Sequence, residues 1–221
     1  MIHFVGAGSG AADLITVRGA RLLEEVVAAM KAAESAGKVT VRLHTGDPSL
    51  YGAHREQMDL LDEAGIDYDV VPGVSSFCGA AAALKAEYTL PNVSQSVIIT
   101  RMEGRTPVPQ GEKLRLMAEH GCTMVLFLST SLLERAQEEL LAGAYDPDTP
   151  AAIVYKAIWP DERIWHCTVG TLAATAREAG VKNTALITIG GFLGDEYDRS
   201  KLYDPAFTHL FRKGAVEQEA R

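Results

Sequence analysis

From residue 2 to residue 189 the chain alternates short apolar or β-branched runs with longer stretches of helical period, and Gly, Pro or Ser stands at most of the junctions. That alternation restricts the fold more than any other feature. A strand that is followed by a helix returns to its sheet in the same direction, so the pattern predicts an α/β fold with mostly parallel sheets covered on both faces. The expected strands are residues 2–5, 39–44, 68–71, 96–101, 123–128, 151–156, 163–168 and 185–189. The expected helices are 16–36, 53–64, 77–84, 112–120, 131–142 and 172–178. The stretch 104–111 holds two prolines and two glycines without apolar periodicity, which marks a linker. The predicted organisation is an N-terminal α/β domain over 1–104, a linker over 105–111, a C-terminal α/β domain over 112–212 and a mobile polar tail over 213–221.

Composition narrows the function classes. A formal charge of -8 argues against a nucleic-acid surface, which needs clustered Lys and Arg. No apolar run is long enough to cross a bilayer, and the N-terminus lacks a basic flank, so a cytoplasmic protein is expected. Cys78, Cys122 and Cys167 are far apart and set among apolar neighbours. They read as reduced core thiols, and no metal site is expected.

The first glycine loop, Gly6-Ala7-Gly8-Ser9-Gly10-Ala11, fits the G-x-G-x-x-G/A dinucleotide pattern. A dinucleotide site also needs an acidic residue at the end of the second strand, about 20 residues further on. That position falls at Glu24 and Glu25, inside a helical pattern. The signature is half present, and a tight strand-to-helix turn without a ligand explains the glycines equally well. Two further segments, Leu43-His-Thr-Gly-Asp-Pro-Ser-Leu-Tyr-Gly52 and Val70-Val-Pro-Gly-Val-Ser-Ser-Phe77, lie just past the ends of expected strands, where open α/β sheets bind ligands. Either alone reads as an ordinary turn. Together, at equivalent strand ends, they point to a polar site.

The ordered set VGAGSG, LHTGDPSLYGA, VVPGVSSF, ITRMEGRTPVP, TPAAIVYKAIWPDERI and RSKLYDPAFTHLFR resembles the tetrapyrrole (corrin/porphyrin) methyltransferases over nearly the whole chain. Within that family it is most similar to the branch that methylates precorrin-4 or cobalt-precorrin-4 at C11 in cobalamin biosynthesis. The resemblance implies two α/β domains with an active-site cleft between them, S-adenosylmethionine as methyl donor and S-adenosylhomocysteine as product. It also implies a small-molecule tetrapyrrole substrate and a homodimer. By the same resemblance the cofactor is held by Gly46, Asp47, Pro48, Ser75, Ser76, Phe127, Leu128, Ala152, Tyr155 and Ala185. Gly6, Gly8, Ser9 and Gly10 would form the floor of the tetrapyrrole pocket in place of a dinucleotide site.

The substrate's carboxylates need cations, for which Arg101, Arg105 and Lys156 are candidates near strand ends or the linker, with Arg199, Lys201 and Arg212 in the terminal segment. Tyr51 and His44 flank the Gly-Asp-Pro turn as further candidates, and packing roles fit them as well. Trp159 and Trp165 flank Asp161-Glu162 in an expected hairpin, where core or dimer packing is the default. No catalytic triad is present, which agrees with a displacement in which the substrate itself supplies the nucleophile.

Two departures from the family stand out. Ser9 replaces a usual proline, and between Glu25 and Val26 the family has a further strand, a loop and part of a helix that are absent here. The first helix is therefore expected to run on without a break for roughly 30 Å. Alternatives that remain open are methylation at another position of a related tetrapyrrole such as uroporphyrinogen III or another precorrin, action on a diphthamide intermediate, and a variant that binds the cofactor without turnover.

Overall fold

A computed structural model describes residues 17–200, 204, 206–208 and 210, with side chains from Glu24 onward. The expected strand 2–5, the glycine loop with Gly6, Gly8, Ser9 and Gly10, the cations Lys201 and Arg212, and the tail 213–221 lie outside the described residues. The chain divides into two compact units, one running through Gly79 and including Glu103–Gln110, the other formed by Ala80–Met102 and the residues from Gly111 onward.

The second unit is built on five strands, β1 (Val97–Arg101), β2 (Thr123–Phe127), β3 (Pro150–Tyr155), β4 (Arg163–Thr168) and β5 (Ala185–Ile189), in the order β1-β2-β5-β3-β4. Sequence spacing locates all five within a residue or two. Strands β2, β3 and β5 read as unbroken apolar runs because they are buried on both faces, whereas the edge strand β4 is half exposed. Three helices close one face: α4 (Leu114–Ala118), α5 (Leu133–Leu141) and α6 (Leu172–Glu178). Their inward stripes, Leu114 and Ala118, then Leu133, Ala136 and Leu140, then Leu172 and Ala176, recur at helical spacing and pack on Met124, Leu126, Ile153, Ile187 and Ile189.

Two expectations are corrected here. The sheet is mixed, not mostly parallel: β1 and β2 run parallel, while β2 with β5, β5 with β3, and β3 with β4 are antiparallel. The cause lies in two connections. Residues 156–162 are too few for a crossover, so β3 and β4 form a hairpin, and β5 then inserts against the direction of both its neighbours. The strand at 96–101, expected to finish the first half, is hydrogen-bonded to β2 and opens the second unit's sheet. Of the expected linker over 105–111, residues 105–110 group with the first unit and Gly111 with the second.

In the first unit, α1 (Val17–Ser35) continues unbroken through Glu25 and Val26, as the sequence suggests, and α2 (Arg55–Glu63) packs on it with Gln57 and Leu61 buried one turn apart. The helix α3 (Ser76–Leu84) follows the second turn segment. The expected strands 39–44 and 68–71 are not laddered: no β-pairing involves them among the described residues. A strand exists only where another backbone takes up its N–H and C=O groups. Val39, Val41 and Leu43 are accordingly 93, 79 and 89% exposed, and Val70, Val71 and Val74 are open as well. Among the cysteines, Cys167 is packed against the core and burial pushes its thiol up to about 11, while Cys78 is exposed, contrary to the expectation of a core thiol.

Ile187 is fully buried and hydrogen-bonded between β2 and β3. Replacing it by alanine should cost about 2–5 kcal/mol, read as a lower denaturant midpoint with an unchanged slope.

Candidate functional site

The first unit's site begins with a short polar side chain in a turn. Asp47 Oδ1 accepts the Ser49 N–H at 2.8 Å and the Ser49 hydroxyl, and Oδ2 accepts the Gly73 N–H at 2.7 Å. Both carboxylate oxygens are used inside the protein. They tie the Gly46-Asp47-Pro48 turn to the Pro72-Gly73 turn, 26 residues later in sequence. These bonds, that from the Ser49 hydroxyl first, hold the Asp47 carboxyl below its ordinary range. The approach of the two turns requires glycine on both sides. A Cβ on Gly73 would lie 2.1 Å from the Gly46 carbonyl oxygen, and Gly46 itself has φ +71° with the backbone of Ser75 and Ser76 within 3.6–3.7 Å of a Cβ position.

The structure thus brings Gly46, Asp47, Pro48, Ser75 and Ser76 together, as expected, with Ser75 buried and Ser76 exposed. Asp47 acts as a staple between turns, which leaves backbone edges and Ser76 to face a ligand. Gly73 is the partner that sequence reasoning quoted within a motif and did not single out. Tyr51 follows at φ +56°, and Gly52 packs on the Pro48 carbonyl. Behind the turn a cavity of about 950 Å³ is lined by residues 37–44 and 66–73 and by His54 and Gln57. His44 meets His54 edge to face at 5.4 Å. Burial, then Arg42 and His54, lower its pKa from the ordinary histidine value.

A second constellation forms at one end of the second unit's sheet. The register puts Arg101 beside Phe127 and Tyr155 between Arg163 and Ala185, so the ends of β1, β2 and β3 and the start of β5 share one edge. Arg101, Phe127, Leu128, Tyr155, Lys156 and Ala185, singled out in the sequence for different reasons, therefore converge. Ala152 does not join them: it is fully buried inside the sheet, paired with Thr188 and His166.

The backbone marks this edge as unusual. Leu128, Lys156, Ile158 and Thr184 there have φ of +52°, +47°, +60° and +56°. Such conformations cost about 1–3 kcal/mol each for non-glycine residues, and they gather at functional sites. Elsewhere in the second unit positive φ occurs at Lys85, at the end of α3, and at Asn92, Gly121, Gly180 and Gly190, of which the asparagine and glycines adopt the conformation at little cost. Buttressing bonds hold the strained residues: Lys156 N–H donates to the Thr184 carbonyl at 3.0 Å, and the Thr130 hydroxyl donates to the Ala185 carbonyl at 3.0 Å. Arg105 lies on an exposed loop of the first unit, and Arg199 is exposed outside any helix or strand.

Against known proteins, residues 23–173 match the family model described as Tetrapyrrole (Corrin/Porphyrin) Methylases, and the chain belongs to that family. It is 51% identical over 192 residues to a cobalt-precorrin-4 C(11)-methyltransferase of Methanocaldococcus jannaschii, covering 86% of this chain and 74% of that protein. A protein of the same name from Priestia megaterium is 43% identical, covering 98% of this chain and 99% of the relative. That alignment spans 256 positions against the 221 residues here, so at least 35 of its positions are gaps in this chain. The X-ray structure of a cobalt-precorrin-4 methyltransferase superposes with a TM-score of 0.77 at 42% identity, covering 86% of this chain and 95% of that one.

Because the folded-state pKa of Asp47 is depressed, its stapling bonds are intact above the ordinary carboxylate range and are lost as pH falls through the lowered value. Amide exchange at Gly73, measured relative to an unprotected amide at the same pH, should therefore stay slow at neutral pH and lose that protection at acid pH. In Asp47→Ala it should be fast throughout; slow exchange in that variant would mean that the Gly73 N–H is protected by something else.

Proposed function

We propose that this chain is an S-adenosylmethionine-dependent C-methyltransferase that acts on precorrin-4 or cobalt-precorrin-4 at C11 in cobalamin biosynthesis. The observation that carries it is identity of 51% and 43% to two proteins of that activity, together spanning nearly the whole chain. The stapled turns suit a polar cofactor: glycine at 46 and 73 lets the two turns meet at contact distance, and the exposed Ser76 adds a hydroxyl beside them. Bound there, S-adenosylmethionine supplies an electrophilic methyl group on a sulfonium.

The protein's own contribution is alignment and dryness. The nucleophilic carbon belongs to the substrate, so no side chain has to be activated, and orientation alone can lower a barrier by about 7 kcal/mol or more. In this reading Gly46, Pro48 and Ser76 bind the cofactor, and Asp47 fixes their geometry without touching it. Arg101 and Lys156 meet substrate carboxylates at the strained end of the second sheet. The reading also includes a cytoplasmic location and a homodimer, in line with the family resemblance. No helix among the described residues is long and apolar enough to cross a membrane.

A second reading has its own observation. At least 35 alignment positions are missing, and two extended segments of the first unit lie unladdered with their valines exposed. A chain of that kind binds the cofactor and does not turn over substrate. Calorimetric titration with S-adenosylhomocysteine, followed by mass analysis of cobalt-precorrin-4 incubated with enzyme and S-adenosylmethionine, separates the two. We expect binding and the gain of one methyl group. Binding without methylation selects the second reading, and no binding rejects both.

A further inference from the structure

The loop between β3 and β4 is held more firmly than a surface hairpin requires, and it is held so as to keep apolar side chains outside. Lys156 Nζ bonds to the Asp161 carboxylate and lies over the rings of Tyr155 and Trp159, 5.2 and 5.6 Å from their centres. The Glu162 carboxylate accepts the Ile158 N–H, and the Trp159 and Glu162 N–H groups close two further turns at 3.0 Å each. Within this fastening Lys156 and Ile158 are both left-handed, and Ile158 and Trp159 are 69% and 55% exposed. The other two ion pairs among the described residues join well-exposed partners, whereas the Lys156 side chain is only 25% exposed. Local bonding has immobilised this lysine, so little further ordering is needed when it meets an anion.

Such a tip offers an aromatic and an aliphatic surface with the Lys156–Asp161 ion pair at its margin. The complementary shape is a flat, apolar body with carboxylates on its rim. We propose that the 156–162 tip is a substrate grip, in which Trp159 and Ile158 lie against the macrocycle face of a carboxylated tetrapyrrole and Lys156 meets one of its rim carboxylates. Asp161 and Glu162 are positioning residues that hold this arrangement. The proposal rests on the tetrapyrrole reading above and adds the residues that would recognise the macrocycle.

The test uses uroporphyrin, a stable porphyrin with a carboxylate on every peripheral chain, titrated by absorbance into the full chain, alongside calorimetry with S-adenosylhomocysteine. Trp159→Ala and Lys156→Met should each weaken uroporphyrin binding about tenfold, and Ile158→Ser should weaken it to a lesser degree. Asp161→Asn should weaken it about threefold with recovery in Asp161→Glu, and S-adenosylhomocysteine affinity should be unchanged in all of them. Unchanged uroporphyrin affinity in folded Trp159→Ala and Lys156→Met overturns the grip and leaves the methyltransferase reading standing. A tip variant that alters sedimentation mass and not porphyrin affinity assigns the tip to a second copy of the chain, which also overturns it. A parent protein that binds S-adenosylhomocysteine but no uroporphyrin overturns the grip together with the tetrapyrrole reading.

Discussion

Strand β5 has a hydrogen-bonded neighbour on each edge and no exposed residue on either face. Its place between β2 and β3 fixes most of what the second unit does. Antiparallel insertion brings the start of β5 to the ends of β2 and β3, which gathers Phe127, Tyr155 and Ala185 on one edge. It also puts Thr184 within reach of Lys156, so the strained turn after β3 leans on the segment that enters β5. A parallel β5 would have delivered its opposite end to this edge.

The first unit solves its backbone problem differently. Its two extended segments have no ladder among the described residues, and a side chain supplies the connection instead. Asp47 reaches across to the Gly73 N–H and spends its remaining oxygen on Ser49. One carboxylate thus joins two turns that a sheet would otherwise have aligned. A charged acceptor makes the stronger kind of hydrogen bond, which suits a junction with so little other support.

Methyl transfer to a nucleophilic carbon asks for placement more than for acid or base chemistry, and both constellations are devices of placement. One is a pair of glycine turns held at contact distance. The other is a rigid edge where leucine, lysine, isoleucine and threonine adopt a conformation they ordinarily avoid.

The strands of the second unit were legible because burial on both faces writes itself as continuous apolar runs, and its helices because Leu133, Ala136 and Leu140 recur at helical spacing. The two turn motifs were legible because Gly-Asp-Pro and Pro-Gly are short and chemically distinct. Strand direction was not, since a run such as Ala185–Ile189 looks the same whichever way it enters a sheet. Nor could extended propensity tell that 39–44 and 68–71 would lack partners, because a ladder depends on residues elsewhere in the chain. Asp47 is a case of the same kind: its type announced a polar site, and only the fold revealed that a glycine 26 residues away bonds to its second oxygen. Local sequence determined which segments are helical or extended and which turns are polar. Tertiary structure alone decided which ends meet, because pairing and hydrogen-bond ownership are properties of two segments at once.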